Sequence, residues 1–280
     1  MNGMLTLRDV HFAYADGTPA LQGVSLDIPR GGKTAIVGAN GAGKSTLFLT
    51  LNGTLRPSQG EIKLDGRLMT YGRRDLEQWR RQVGLVFQDP DVQLFSASVE
   101  QDISFGPLNM GLTEDEVRRR VEEALIATGT EPLRNRPVHA LSYGQKKRVS
   151  IAGVYAMQPD VMVLDEPLAW LDPAGQQEIL ALLAQLHRAG TTLVMAVHQM
   201  DVVADWADMV IVLQAGQVIY QGAPQGVLAQ QERLLSVGLT PPWPVQVFHD
   251  LRLAGLPLEG EPPLTRAALT EQIVRAWPKK

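Results

Sequence analysis

The densest chemical signal in the chain is the segment Gly38-Ala39-Asn40-Gly41-Ala42-Gly43-Lys44-Ser45-Thr46. It fits the phosphate-binding pattern G-x-x-x-x-G-K-[ST], whose parts have separable physical roles. Glycines such as Gly38, Gly41 and Gly43 let backbone N–H groups converge on phosphate oxygens, with Asn40 and Ala42 between them. The start of the following helix adds a positive field. Lys44 has the length to reach β and γ phosphates, and Ser45 and Thr46 offer hydroxyls, Ser45 to a Mg²⁺ ion. The expected ligand is a nucleoside triphosphate.

Two adjacent carboxylates, Asp165 and Glu166, end the apolar run Val161-Met162-Val163-Leu164. Ligands of α/β sheets collect beyond the C-terminal ends of such strands. One carboxylate can hold Mg²⁺ and the other can orient or deprotonate a water. Successive strand residues face opposite ways, so the two should not share a role. Gln88 follows the apolar run Val83 to Phe87, and His198 follows Thr192 to Val197. Both should emerge at the rim that carries Asp165. An amide or a neutral imidazole there can hold a lytic water or touch the γ-phosphate. A third phosphate-compatible place is Leu141-Ser142-Tyr143-Gly144-Gln145, where Ser142 can cap the helix that opens with Lys146-Lys147-Arg148. Taken alone, that basic run reads as a solvated helix face.

These positions need strands that end together. The pattern predicts short alternating strands over Leu5 to Val10 and Gly23 to Ile28. Another short strand bounded by glycines is expected at Gly60 to Gly66, and apolar strands at Thr34 to Val37, Val83 to Phe87, Val161 to Leu164, Thr192 to Val197 and Met209 to Leu213. Helical periodicity fills residues 97–157, most clearly Glu114 to Thr128 and Gly144 to Ala156, and returns at Pro173 to Ala189. Apolar strands alternating with helices indicate an α/β fold with a mainly parallel sheet covered on both faces. Composition shifts near residue 236. Beyond Thr240-Pro241-Pro242-Trp243-Pro244, two short helices are expected, Val245 to Leu253 and Thr265 to Trp277, with Thr265 as N-cap and a stripe of Leu269, Ile273 and Trp277. So small a tail should pack on its own domain or on a second copy.

The chain has 280 residues, 45% hydrophobic and 20% charged, with room for one large domain and an appendage. It contains no cysteine, which excludes disulfides, thiolate metal sites and cysteine nucleophiles. A net charge of −4 argues against a chain built to bind nucleic acid. No apolar stretch approaches the roughly 20 residues that span a bilayer, and Met1-Asn2-Gly3-Met4 does not open a signal peptide. The five histidines are scattered, so no metal-ligand cluster is expected.

Tyr14, Gly38 to Thr46, Gln88, Leu141 to Gln145, Asp165-Glu166, Leu171-Asp172 and His198 occur in the order found in ATP-binding-cassette (ABC) ATPases, and residues 4–225 resemble that family. The segments Gln88 to Phe95 and Phe105 to Asn109 resemble its energy-coupling-factor subgroup, most of all the cobalt-transport (CbiO-like) ATPases. The resemblance implies a P-loop NTPase with an N-terminal antiparallel β subdomain, a helical signature subdomain and a small C-terminal helical extension. It implies an ATPase domain over 1–236, with the helical part at 97–157, and a C-terminal dimerisation extension over 237–280. Tyr14 would stack on adenine. Lys44, Ser45 and Thr46 would hold phosphates and Mg²⁺, and Asp165 would be the metal carboxylate. Glu166 would be the catalytic base, His198 the γ-phosphate contact, and Gln88 the contact to metal or water. Ser142, Gly144 and Gln145 would complete the site of a second ATPase subunit, with Asp172 at that interface. The further implied partners are an integral membrane scaffold and a substrate-binding membrane subunit, and the implied location is the cytoplasmic face of the membrane. Tyr143 departs from the glycine of many ABC signatures, and Leu168 and Trp170 are bulkier than usual. The alternatives are an ATPase of another importer class such as an amino-acid importer, a soluble ABC protein, and a P-loop kinase.

Overall fold

A strand whose every residue is apolar must be covered on both faces, and the chain supplies helices before and after each one. The computed structural model of the protein describes residues 3–277; Met1 and Asn2 of the segment read for a targeting signal, and the last three residues of the tail, lie outside the described residues. The chain opens with β1 (Leu5–Ala13), β2 (Pro19–Ile28), β3 (Lys33–Val37), α1 (Lys44–Leu51), β4 (Gln59–Leu64) and β5 (Arg67–Leu68). Next come α2 (Arg73–Gln82), β6 (Val83–Val86), α3 (Pro90–Gln93), α4 (Val99–Asn109), α5 (Glu114–Thr128) and α6 (Tyr143–Tyr155). Then follow β7 (Val161–Leu164), α7 (Pro173–Arg188), β8 (Thr192–Ala196), α8 (Met200–Trp206), β9 (Met209–Gln214) and β10 (Gln217–Gly222). Four helices finish the chain: α9 (Pro224–Leu228), α10 (Gln231–Ser236), α11 (Trp243–Leu253) and α12 (Arg266–Ala276).

Six strands form one sheet in the order β10-β9-β3-β8-β7-β6, parallel except for β10 at the edge. A second sheet, β2-β1-β4-β5, is antiparallel. The expected fold class is therefore the one observed. Every residue of β6, β7 and β8 is buried, and the strand pleat divides them between two cores. Val161 and Val163 join Val83, Leu85, Val194 and Phe48 on the face that meets the antiparallel sheet. Met162 and Leu164 join Val86, Leu193, Met195 and Leu183 on the other.

Helices α4, α5 and α6 enclose a third core of Val99, Ile103, Val121, Leu125 and Val149. Each starts at a hydroxyl cap: Ser98, Thr113 and Ser142 accept from the backbone N–H three residues on, which satisfies an otherwise unpaired donor. The tail helices α11 and α12 share a small core of Phe248, Leu258 and Leu269, with Thr265 capping α12 as expected. The predicted stripe is only partly realised. Ile273 packs against that core, but Trp277 is 64% exposed because the helix stops at Ala276 and Trp277 takes extended backbone angles. The tail also rests on its own chain: the Trp243 backbone N–H donates to Asp201 at 2.9 Å, and Leu264 packs on the core around Leu183.

Several elements exceed the sequence expectation. β1 and β2 extend toward the Asp16-Gly17 turn, and β10, α8, α9 and α10 are additional. Helix α2 is built from Arg73-Arg74-Asp75-Leu76-Glu77-Gln78-Trp79-Arg80-Arg81-Gln82 and is anchored by the fully buried Trp79, whose indole N–H donates to the Leu51 carbonyl at 2.8 Å. Among the described residues no helix is long and apolar enough to cross a membrane.

Candidate active site

The turn from β3 into α1 is packed so tightly that glycine is obligatory at two points. A Cβ on Gly38 would lie 2.3 Å from the Leu213 carbonyl oxygen. Gly43 adopts φ 102°, and a Cβ there would lie 2.5 Å from the Ala20 carbonyl oxygen. Ala42 is buried beside this turn, whereas Asn40 and Gly41 stay exposed at its crest. The Lys44 side chain, only 6% exposed, folds back so that Nζ donates to the Gly38 carbonyl at 2.9 Å and the Ala39 carbonyl at 3.2 Å. Burial lowers its pKa, opposed by the negative fields of Glu166 and Asp165.

The carboxylates meet different partners, as expected, although both lie past the end of β7. Asp165, 8% exposed, lies near Ser45, whose hydroxyl favours the ionised carboxylate. Burial raises its pKa, the Ser45 hydroxyl lowers it, and neighbouring Glu166 raises it further. Its Oδ1 is buried with no hydrogen-bond partner among the described residues. An unpaired carboxylate oxygen beside a serine hydroxyl at the phosphate loop is the hard-oxygen donor set that suits Mg²⁺, which takes one or two protein oxygens and completes its shell with phosphates and water. The residues present therefore fit that ion. The clusters of three or more histidine or acidic side chains that would enclose a metal without phosphate are absent among the described residues.

Glu166 turns the other way, at φ 43°, a left-handed conformation that a non-glycine residue holds only under restraint. Its Oε1 lies 2.6 Å from His198 Nε2 and 4.0 Å from Lys44 Nζ. Its Oε2 accepts from Gln88 Nε2 at 3.1 Å. The rim expected from the strand ends is thus occupied by Gln88, Glu166 and His198 together. They share with Lys44, Ser45, Thr46, Asn40, Gly41, Gly43 and Tyr14 a cleft of about 750 Å³, within the size range of small-molecule sites. Tyr14 stands at its mouth with its hydroxyl 2.8 Å from Thr46 Oγ1 and its ring edge-on to Phe12 at 5.2 Å. In this conformation the tyrosine is tied to the phosphate loop and is not laid flat for stacking.

Ser142, Gly144 and Gln145 do not line this cleft. Ser142 Oγ accepts from the Gln145 N–H at 3.3 Å, and Gln145 Oε1 accepts from the Ser142 N–H at 2.9 Å, so the glutamine carbonyl serves the helix cap. A Cβ on Gly144 would meet nothing nearer than Leu171 Cδ2 at 3.6 Å. This chain's own packing leaves that position open, as it must be for a ligand arriving from outside. Asp172 caps α7, accepting from the Gly175 N–H at 2.7 Å. Tyr143 points inward from the helix tip: its ring meets Trp170 edge-on at 5.5 Å and its hydroxyl donates to the Gln88 carbonyl at 3.4 Å. Burial, then Asp89 and Asp91, pushes that hydroxyl up to about 12.

Sequence reasoning missed Lys147. The structure contradicts a wholly solvated basic face, because Lys147 is fully buried beneath the loops that carry Gln88 and Glu166. The available signal was its i+4 spacing from Tyr143, on the helix flank that turns inward. Burial lowers its pKa to about 8, opposed by Asp165, Asp89 and Glu166. Asp102 was also missed; its buried carboxylate accepts from the backbone N–H groups of Phe95 at 2.9 Å and Ser96 at 2.8 Å.

A family model described as ABC transporter matches residues 21–169. The energy-coupling factor transporter ATP-binding protein EcfA2 of Clostridium perfringens is 50% identical over 240 residues, covering 85% of this chain and 84% of the relative. The cobalt import ATP-binding protein CbiO of Rhodobacter capsulatus is 46% identical over 281 residues, the whole of both chains. Among solved structures, cbiO1 of Clostridium perfringens, described as part of the ABC transporter complex cbiONQ, superposes with a TM-score of 0.77 at 48% identity, covering 89% of this chain and all of that one. An ATP-binding cassette solved as a dimer in a post-hydrolysis state with ADP and phosphate superposes with a TM-score of 0.71 at 28% identity, covering 80% of this chain and all of that one.

Proposed function

This chain belongs to the ABC transporter ATP-binding family, in the energy-coupling-factor group that includes CbiO, and from that premise we propose that it works as one of a pair of ATPases driving cobalt import. It is an ATPase, and the subunit that binds ATP in such an importer. The observation that carries the catalytic reading is Glu166, whose two oxygens are addressed separately by His198 and Gln88 within one cleft containing the phosphate-loop lysine.

With nucleotide bound, Lys44 exchanges the Gly38 and Ala39 carbonyls for phosphate oxygens. Tyr14 leaves Thr46 and lies against the adenine. Glu166 accepts the proton of the attacking water, and His198 orients that water and the γ-phosphate. Ser45 and Asp165 would hold a Mg²⁺ ion, which would supply positive charge for the phosphates. Ser142 and the open backbone at Gly144 meet the nucleotide of a second copy, a geometry supported by their exclusion from this chain's own cleft. One chain carries both Glu166 and the full Leu141 to Gln145 segment, which fits a homodimer. The ATPase domain runs over 1–236, with its helical part at 97–157, and the extension over 237–280 adds contact between copies.

The membrane subunit docks on the apolar patch beside Gln88. Val92 is 71% exposed, Phe95 64% and Leu108 57%, and Phe95 stacks edge-on with Phe105 at 4.8 Å. Clustered apolar exposure of this kind marks an interaction surface. The protein then sits peripherally on the cytoplasmic face. Cobalt as cargo is supported by the full-length match to a cobalt import protein.

Co-expression with its neighbouring membrane subunits, reconstitution in liposomes and ATP-driven uptake of Co²⁺ against Ni²⁺ test this reading. Co²⁺ uptake that stops when Phe95→Asp removes the ATPase from the complex is the expected outcome. ATPase activity stimulated by nucleic acid and unaffected by membrane subunits refutes it.

A further inference from the structure

Within the run Lys146-Lys147-Arg148, the outer two reach surface carboxylates, Lys146 to Asp91 at 2.5 Å and Arg148 to Glu178 at 3.7 Å. Lys147 turns inward and is 0% exposed. An ammonium has three N–H donors, and burying it is costly unless they are used. Here Nζ donates to the backbone carbonyl of Gln88 and, at 3.4 Å, to that of Glu166. It also lies 5.6 Å from the centre of the Tyr143 ring, whose negative face attracts a cation. The Gln88 carbonyl receives a second donor from α6, the Tyr143 hydroxyl at 3.4 Å. Thus the first turns of one helix grip the backbone of both loops whose side chains meet across the cleft at 3.1 Å.

The consequence is mechanical. Gln88 and Glu166 follow different strands, β6 and β7, and their side chains must meet with small tolerance for proton abstraction. The residue spanning their backbones lies on neither strand. It belongs to the helix that starts at Ser142, the serine assigned to the neighbouring copy's nucleotide. We propose that Lys147 is a positioning residue that fastens the Gln88 and Glu166 loops of its own chain to α6, so that the base is correctly set only while that helix is seated. The proposal deepens the ATPase reading and rests on Glu166 being the base.

The test uses the full chain with Mg·ATP. Steady-state hydrolysis, affinity for a fluorescent ATP analogue and thermal midpoint are compared for the wild type, K147M, K147Q and E166Q. Methionine keeps most of the apolar stem but ends one atom short of Nζ and donates nothing; glutamine has the same reach and can donate from its amide, but cannot span both carbonyls. The expected order of kcat is wild type above K147Q above K147M, with K147M reduced by about ten- to a hundredfold and analogue affinity within about threefold of wild type. If K147M does not fold, K147Q is still expected to lose about three- to tenfold in kcat at unchanged affinity. Unchanged kcat in the folded variants overturns the proposal. So does a parallel loss of affinity and kcat, which marks general distortion of the cleft. Full activity in E166Q overturns the underlying choice of base instead, so the two failures are distinguishable.

Discussion

Replacing Glu166 by glutamine preserves the volume and planar head of the side chain while removing the charge that His198 and Gln88 both address. The carboxylate offers an oxygen to each partner, at 2.6 Å from His198 Nε2 and 3.1 Å from Gln88 Nε2. An amide has one oxygen, so Gln88 keeps an acceptor only if the new NH2 group faces His198 with its proton moved to Nδ1, and the side chain can no longer take a proton from water. A positioned general base is worth roughly 10²- to 10⁴-fold in rate, or about 3–5 kcal/mol of barrier at 1.36 kcal/mol per decade. Nucleotide binding should survive. Lys44 loses only a negative neighbour at 4.0 Å, which leaves its charge freer for phosphate. Single-turnover phosphate release measures the chemical step, and light scattering with ATP present measures the accumulated dimer. Turnover at least a hundredfold down, with a long-lived ATP-bound dimer, is the expected result. A variant that keeps more than about a tenth of wild-type turnover falls below the 10² floor of base catalysis and assigns the proton to another acceptor.

Three further outcomes follow from packing and charge. Gly38→Ala places a methyl 2.3 Å from the Leu213 carbonyl oxygen; backbone must shift, nucleotide binding should be lost, and urea unfolding should register at least the usual 1–3 kcal/mol of overpacking, to about that precision. Asp102→Ala strips the acceptor from the Phe95 and Ser96 N–H groups. Unfolding free energy should fall by about 2–4 kcal/mol, and ATPase stimulation by membrane subunits should weaken more than basal hydrolysis. Tyr71 has a buried hydroxyl without a partner among the described residues, and burial pushes its pKa up to about 12, opposed by Arg56. The folded state holds that proton more tightly than the unfolded chain, so stability falls as pH rises from about 10 toward 12. Tyr71→Phe should reduce that alkaline loss in pH-dependent denaturant titrations without destabilising the protein at pH 7.

The parallel strands of the six-stranded sheet were legible because they are short and almost wholly apolar, which leaves few alternatives for Val161 to Leu164 or Thr192 to Val197. The phosphate loop was legible for the same local reason. The antiparallel edge strand β10 was not, since half of Gln217–Gly222 is polar or glycine. Helix α2 was not either, since only Leu76 and Trp79 face the core among ten mostly charged positions, too few to repeat as a stripe. Lys147 was concealed by the charges beside it: sequence shows a basic run, and only the packing of α6 against two loops separates the inward lysine from its surface neighbours. The same limit applies to Trp277, whose spacing continues the stripe one residue past the point where the helix stops.

The division of β7 between two cores has a consequence for what mutation can do to this enzyme. Substitutions among Val161 to Leu164 that conserve volume leave Asp165 and Glu166 where they are. A single-residue insertion or deletion there does not, because sliding the strand by one position turns every side chain over. Val161 and Val163 would then face the core around Leu183, and Met162 and Leu164 the core around Phe48, so the segment carrying Asp165 and Glu166 would lose its seating. Register along this strand is therefore the tighter constraint, and apolar identity at each position the looser one.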